Sequence, residues 1–228
     1  MPNDVREWTD KELLRMERHI SNIYKKAASG IYKSWNKYMS QAEDETANLQ
    51  KLYDDAKKSG DKDLTKETGK KLAQYKKEVT LYNDEYQAMI NETTEQLAHV
   101  NQTALAYIND QMPSIYTNNF NDMKIDADAL GMNFGIVNEA TVKRMVLDGD
   151  IELPYKDLDK IKDKRWNTKQ LNSSVLQGIL QGEAIPEIAK RIYPITNRNE
   201  ASAIRNARTM VTGAENRGLI DGAKELEE

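Results

Sequence analysis

Residues 72–108, LAQYKKEVTLYNDEYQAMINETTEQLAHVNQTALAYI, decide the fold. Seam positions recur at Leu72, Tyr75, Val79, Tyr82, Tyr86, Met89, Thr93, Gln96/Leu97, Val100, Ala104 and Tyr107/Ile108. Steps of three and four held over about five heptads mark a helix with one narrow packing stripe, as in a coiled coil. Toward the N-terminus, Ser59-Gly60-Asp61 forms a polar stop. Before it a second stripe runs through Leu13, Met16, Ile20, Ile23, Ala27, Ile31, Trp35 and Tyr38, then more weakly through Ala42, Leu49, Leu52, Tyr53 and Ala56. Thr9-Asp10-Lys11-Glu12 reads as a capping box opening that helix. Gly30 lies inside it at a cost of about 1 kcal/mol relative to alanine. No proline occurs between Pro2 and Pro113, so nothing interrupts a long helix there. Two helices of about 45 residues joined by a tight turn are expected to pack antiparallel, as a hairpin of roughly 65–70 Å.

Toward the C-terminus, Met112-Pro113 is expected to end the second helix, because proline disfavours helical geometry in the residue before it. Asn118, Asn119, Asn121, Gly131, Gly135, Gly149 and Pro154 then break the pattern into short pieces. The clearest of these is an amphipathic helix over 138–147. Trp166, Leu171, Val175, Ile179 and Leu180 define a helix stopped at Gln181-Gly182. Pro186 opens the next one, where its missing amide does no harm. Thr196 or Asn199 is expected to cap a last helix over 200–216, with Arg217-Gly218 ending it. No segment alternates with period two. The expected architecture is all-α: a coiled-coil-like antiparallel hairpin over 1–111, a short-helix connector over 112–155 and a small helical domain over 156–228.

Composition fits elongated helices. Of 228 residues, 39% are hydrophobic, 31% charged and 7% aromatic, which gives a lean core and a heavily solvated surface. The absence of cysteine excludes disulfides and thiolate chemistry. The first residues hold no apolar run suited to a signal peptide, and no window approaches the roughly 20 apolar residues of a spanning helix. The sequence therefore predicts production in the cytoplasm without a membrane anchor. The four tyrosines on the seam imply a loose contact that calls for further helices or partner subunits, a homo-oligomer among them.

No catalytic set emerges. His19 and His99 each lack a second ligand at helical spacing, and read as surface or seam residues. There is no phosphate-binding loop and no nucleophile elbow. Asp126-x-Asp128 resembles the opening of a calcium loop, but Leu130 and Val137 stand where oxygen ligands are needed. No metal, cofactor or enzymatic activity is expected.

Charge is uneven within a net −4. Residues 109–152 carry 3 basic and 8 acidic side chains, whereas 190–217 carry 6 basic and 2 acidic. The basic six are Lys190, Arg191, Arg198, Arg205, Arg208 and Arg217, candidates for a nucleic-acid or partner contact. Two readings of this region stand side by side. In one, the helix before Gly182 and the Glu187-Ile188-Ala189 helix begin a helix-turn-helix, with Arg205 and Arg208 on the helix that reads DNA. Tyr193-Pro194 does not resemble the short turn which that motif requires. Non-specific phosphate contact needs only charge, not register.

The second reading is a family likeness. Trp166-Asn167, Leu171, Ile179, Gly182, Glu187-Ile188-Ala189, Ile192, Ala203, Ala207-Arg208-Thr209, Ala214, Asn216 and Gly218 together resemble the signature of phage head-morphogenesis proteins, the minor head or minor capsid proteins similar to protein F of phage Mu. The likeness covers about 110–222 and is sharpest over 166–218. The sequence departs from the family at Met210, where glutamate is usual, and stops at Glu228, where many members continue. The resemblance implies a low-copy structural protein of a tailed-phage head. Such a protein is made in the host cytoplasm and ends in the head interior, contacts portal or capsid proteins, lies near packaged DNA and supports DNA packaging or delivery. A coiled-coil scaffold of a secretion or toxin system is a third reading, resting on the hairpin alone.

Overall fold

In a computed structural model, the described residues are 5–81, 84–129, 135–157, 163–181, 183 and 185–226, and every regular element among them is an α-helix. In chain order these are α1 (Val5–Ser59), α2 (Lys62–Leu81), α3 (Asp84–Ala129), α4 (Glu139–Asp148), α5 (Asp163–Leu180), α6 (Ile185–Lys190) and α7 (Tyr193–Glu225). No described helix is long and apolar enough to cross a membrane.

Where local chemistry is strong, the helix ends fall as the sequence predicts. Gly60 adopts φ +77°, and the Asp61 carboxylate accepts from the Asp63 and Leu64 amides, both at 3.0 Å, capping α2. Asn138 caps α4 by accepting from the Thr141 amide at 2.8 Å. Gly149, at φ +84°, closes its far end, and its amide reaches the Met145 and Val146 carbonyls.

Four expected ends are not ends. Thr9 is no cap, because α1 already begins at Val5; the residue is buried inside the helix, where its hydroxyl accepts from Asn119 Nδ2 at 3.1 Å. Pro113 does not stop α3, which continues to Ala129. The ring removes one helical hydrogen bond, but Met112, Ile115, Tyr116 and Phe120 around it are all buried, and their burial outweighs the loss. Nor does α7 begin after Asn199 or end at Gly218. Thr196 and Asn199 lie buried in its interior, and it runs seven residues past Gly218 to Glu225. The stop proposed at Gly182 and the seam position Tyr82 lie outside the described residues.

The chain forms two compact units, each assembled from stretches far apart in sequence. Unit 1 comprises Met1–Tyr24, Val100–Ile161 and Asn199–Glu228; unit 2 comprises Lys25–His99 and Lys162–Arg198. The division falls within α1, α3 and α7.

Unit 1 buries Met16, Ile20 and Tyr24 of α1 against Ala104, Ile108, Met112 and Ile115 of α3 and Ala203, Ala207, Met210, Val211 and Ala214 of α7. Its contacts between α1 and α3 pair low numbers with high: Thr9 with Asn119, His19 with Tyr107 at 4.1 Å, and Tyr24 with Asn101. A buried polar chain crosses this core. The Tyr24 hydroxyl donates to Asn101 Oδ1 at 2.6 Å, and Asn101 Nδ2 donates to Asn199 Oδ1 at 2.9 Å. A smaller cluster joins Tyr116 and Phe120 to Val142 and Ile151 around α4.

In unit 2, Ile31, Trp35 and Met39 meet Tyr86, Ile90 and Leu97 of α3, Leu171 and Val175 of α5, and Ile188, Ala189, Ile192 and Ile195. The indole of Trp35 donates to Thr93 Oγ1 at 2.8 Å, while Tyr38 and Tyr86 stand edge-on to its ring at 6.2 and 6.1 Å. The buried stripe of α1 is Met16, Ile20, Tyr24, Ala28, Ile31, Trp35 and Met39. It places Tyr24 and Ala28 in the core in place of the expected Ile23 and Ala27, and those two are half-buried beside it.

Candidate functional site

The six C-terminal cations are divided between the two units. Lys190, Arg191 and Arg198 belong to unit 2, and Arg205, Arg208 and Arg217 to unit 1. Most are held by partners within their own unit. Lys190 pairs with Glu187 one turn away at 2.6 Å, which raises its pKa. Arg198 lies over the Trp166 ring, 4.3 Å from its centroid, in a cation–π contact that accounts for that tryptophan. Arg208 Nε meets Glu17 Oε1 at 2.6 Å, and Arg217 Nε meets Asp221 Oδ2 at 2.6 Å. Arg205 is exposed, with its carbonyl accepting from the Thr209 hydroxyl at 3.0 Å.

Arg191 has the most partners. It sits in the two-residue turn between α6 and α7, and its guanidinium forks onto Glu183, with Nε to Oε2 at 2.7 Å. It also donates to the Ser174 carbonyl at 3.2 Å, Gln177 Oε1 at 3.3 Å and Gln181 Oε1 at 2.9 Å. Those acceptors lie in the last turns of α5 and just beyond it, so one planar cation closes the end of a helix. The same contact holds the Glu183 carboxyl below its ordinary range. A Cβ at Gly178 would stand 2.8 Å from Arg191 Nε, so Gly178 makes the room this arrangement needs. The sequence offered no sign of that glycine's role.

The signature positions divide by function in packing. Ile188 and Ala189 are core residues of unit 2, and Trp166 is half-buried beside them. Thr209 and Asn216 are exposed, and Gly182 lies outside the described residues. Gly218 is a contact glycine: a Cβ there would lie 2.6 Å from the Tyr116 carbonyl oxygen and 3.1 Å from the Phe120 amide. Gly222, one turn on, repeats this at 2.9 Å from the Phe120 carbonyl. The small residues Ala203, Ala207, Ala214, Gly218 and Gly222 thus form the face on which α7 closes against its neighbours in unit 1. Met210, where the resembled family carries glutamate, is buried in that core, where a carboxylate would lose its water.

Beside this contact, unit 1 has a cleft of about 240 Å³ lined by Tyr116, Phe120, Met145, Asp150, Arg217 and Asp221 among others. The Tyr116 hydroxyl donates to Asp221 Oδ2 at 3.2 Å. Burial, then the Asp221 charge, pushes the phenol far above its ordinary pKa, so it remains a neutral donor. At the rim, Lys124 pairs with Glu225 at 2.5 Å, donates to the Gly135 carbonyl at 2.9 Å and lies 4.6 Å over the Phe120 ring. Arg217 with Asp221 and Lys124 with Glu225 are paired at the cleft, and these pairs tie its helices together.

Asp126 and Asp128 lie within the last turn of α3, where a helical backbone replaces the loop that a calcium site needs. No group of three or more His, Asp or Glu side chains among the described residues is placed to hold a metal. Compared with protein-family models, with curated proteins and with solved structures, the chain matches none.

Proposed function

We propose that this chain is a structural minor head protein of a tailed phage. It acts through protein contacts with the portal or inner capsid during head assembly, resides in the head interior and supports DNA packaging or delivery. The observation that carries the reading is the pattern from Trp166 to Gly218, which resembles the head-morphogenesis signature. The geometry supports it indirectly, since Ile188, Ala189, Ala203, Ala207, Ala214 and Gly218 are buried positions on which helices close.

The reading includes α1 with α2 and α3 as the arms of a long antiparallel hairpin that offers a surface to neighbours, a second copy included. The descending residue pairs within each unit support it, and in unit 2 so does Tyr53 against Gly69 across the α1–α2 turn. The test is to isolate particles containing the chain and identify what accompanies it. Co-purification at low copy with portal and capsid proteins is expected. Particles that lack the chain yet assemble and infect normally would remove the proposal.

A further inference from the structure

Beside the turn between α1 and α2, a groove is lined by Tyr53, Lys57, Lys62, Lys66, Gly69 and Lys70 with Thr65 and Ala73, and no carboxylate among the described residues lines it. We infer that this groove binds the phosphate backbone of a nucleic acid without reading its sequence.

The first ground is charge left unneutralised. None of Lys57, Lys62, Lys66 and Lys70 has a carboxylate at ion-pair distance among the described residues, whereas most of the C-terminal cations are paired or stacked. Three of the nearby acids are turned to other uses, and Asp55 and Asp63 do not line the groove. Asp61 caps α2, Glu67 pairs with Lys71 at 2.8 Å, and Asp54 accepts from Gln50. Four ammonium groups around one concavity, in a chain of net charge −4, form a local positive site that the whole-molecule charge does not explain.

The second ground is spacing. Lys62, Lys66 and Lys70 follow one another at four-residue steps on α2, about 6 Å apart along the helix axis. That is close to the axial separation of alternate phosphates on one strand, roughly 7 Å. The row is about 12 Å long, which suits an extended ligand with several charges better than a single phosphate.

The third ground is chemical type. Lysine meets phosphate as a point charge that needs no planar alignment, which suits contact without sequence register, and here all the cations are lysine. Gly69 keeps the floor open: a Cβ there would lie 3.0 Å from the Tyr53 ring, which remains as the aromatic face that nucleic-acid grooves use. The groove was not among the sequence candidates, and the inference does not depend on the phage reading.

The test is equilibrium binding of the full chain to a random-sequence DNA duplex and to the corresponding single strand, across a salt series. If four phosphates are contacted, duplex affinity should fall roughly 150-fold between about 50 and 200 mM salt. Lys66→Ala/Lys70→Ala should lower the slope by about two, so that the same salt change costs only about 12-fold. Lys66→Arg/Lys70→Arg should restore the slope, and Lys71→Ala should leave it unchanged. Binding of either nucleic acid with these slopes supports the inference. It is overturned by no binding at low salt, by an unchanged slope in the double alanine variant, or by equal displacement with polyglutamate, which would assign the groove to an acidic protein.

Discussion

Replacing Gly218 with alanine places a methyl carbon 2.6 Å from the Tyr116 carbonyl oxygen and 3.1 Å from the Phe120 amide. Both obstacles are backbone of α3, so no side chain can rotate away. Reaching an ordinary contact of 3.4 Å would require α7 and α3 to separate by nearly 1 Å, and Gly222 and the buried Asn119 would have to follow. Overpacking of this kind costs about 1–3 kcal/mol, against which alanine contributes about 1 kcal/mol of helix propensity. The expected net loss is up to about 2 kcal/mol. Gly30→Ala is the control, because a Cβ there meets nothing within 4 Å and only the propensity gain of up to about 1 kcal/mol remains. At about 2–4 °C per kcal/mol for a chain of this size, Tm should fall by up to about 8 °C in the first variant and rise by up to about 4 °C in the second. Thermal and urea unfolding followed by circular dichroism read both. Amide exchange over residues 112–123 should accelerate only in Gly218→Ala. A rise in midpoint for Gly218→Ala matching that of Gly30→Ala would refute the close helix contact, and with it the role assigned to the small-residue face.

Three other expectations follow from polar groups inside the fold. The Tyr86 hydroxyl is buried with no hydrogen-bond partner among the described residues, so Tyr86→Phe should stabilise by about 1 kcal/mol in urea titrations. Burial, then the neighbouring Tyr38, also pushes that phenol up to about 12. The unfolded chain releases the proton near pH 10, so the stabilising contribution is complete below pH 10 and is lost as pH rises toward 12. Tyr86→Phe should therefore reduce the alkaline loss of stability, and phenolate absorbance should show one late-titrating tyrosine fewer. Asn101→Leu removes the acceptor of the Tyr24 hydroxyl and the donor to Asn199 Oδ1, and should cost about 1–3 kcal/mol in chemical denaturation. Arg191→Lys keeps the charge but cannot fork to Glu183 while reaching Ser174, Gln177 and Gln181. It should loosen the end of α5 nearly as much as Arg191→Ala, read as faster amide exchange over residues 174–183.

Much of the helical character was legible because its signals are local. Gly60 and Asp61 mark the α1–α2 turn, and Asn138 and Gly149 bracket α4, through hydrogen bonds that reach only a few residues. The errors at Thr9, Pro113, Asn199 and Gly218 share one cause. Each residue type often ends a helix, but each sits here where burial on both sides carries the helix through. Gly218 in particular was read as permissive backbone, although its value lies in lacking a side chain at a close crossing.

The candidate site was less legible, and for the same reason. The excess of cations over residues 190–217 is plain in the sequence, but their partners are not. Glu17 stands 191 residues from Arg208, and only folding brings the two within 2.6 Å. The lysine row on α2 is visible as a four-residue repeat, yet the groove exists only because the turn sets Lys57 and Tyr53 opposite it.

The sequence by itself determined that this chain is all helix, where its polar turns lie and how its charge is spread, because those properties depend on neighbours along the chain. Only the tertiary structure decided which helix ends survive, which cations are neutralised and which remain available. Those outcomes depend on burial and on charges brought together from remote stretches, and the energies of both are set by what lies across the contact.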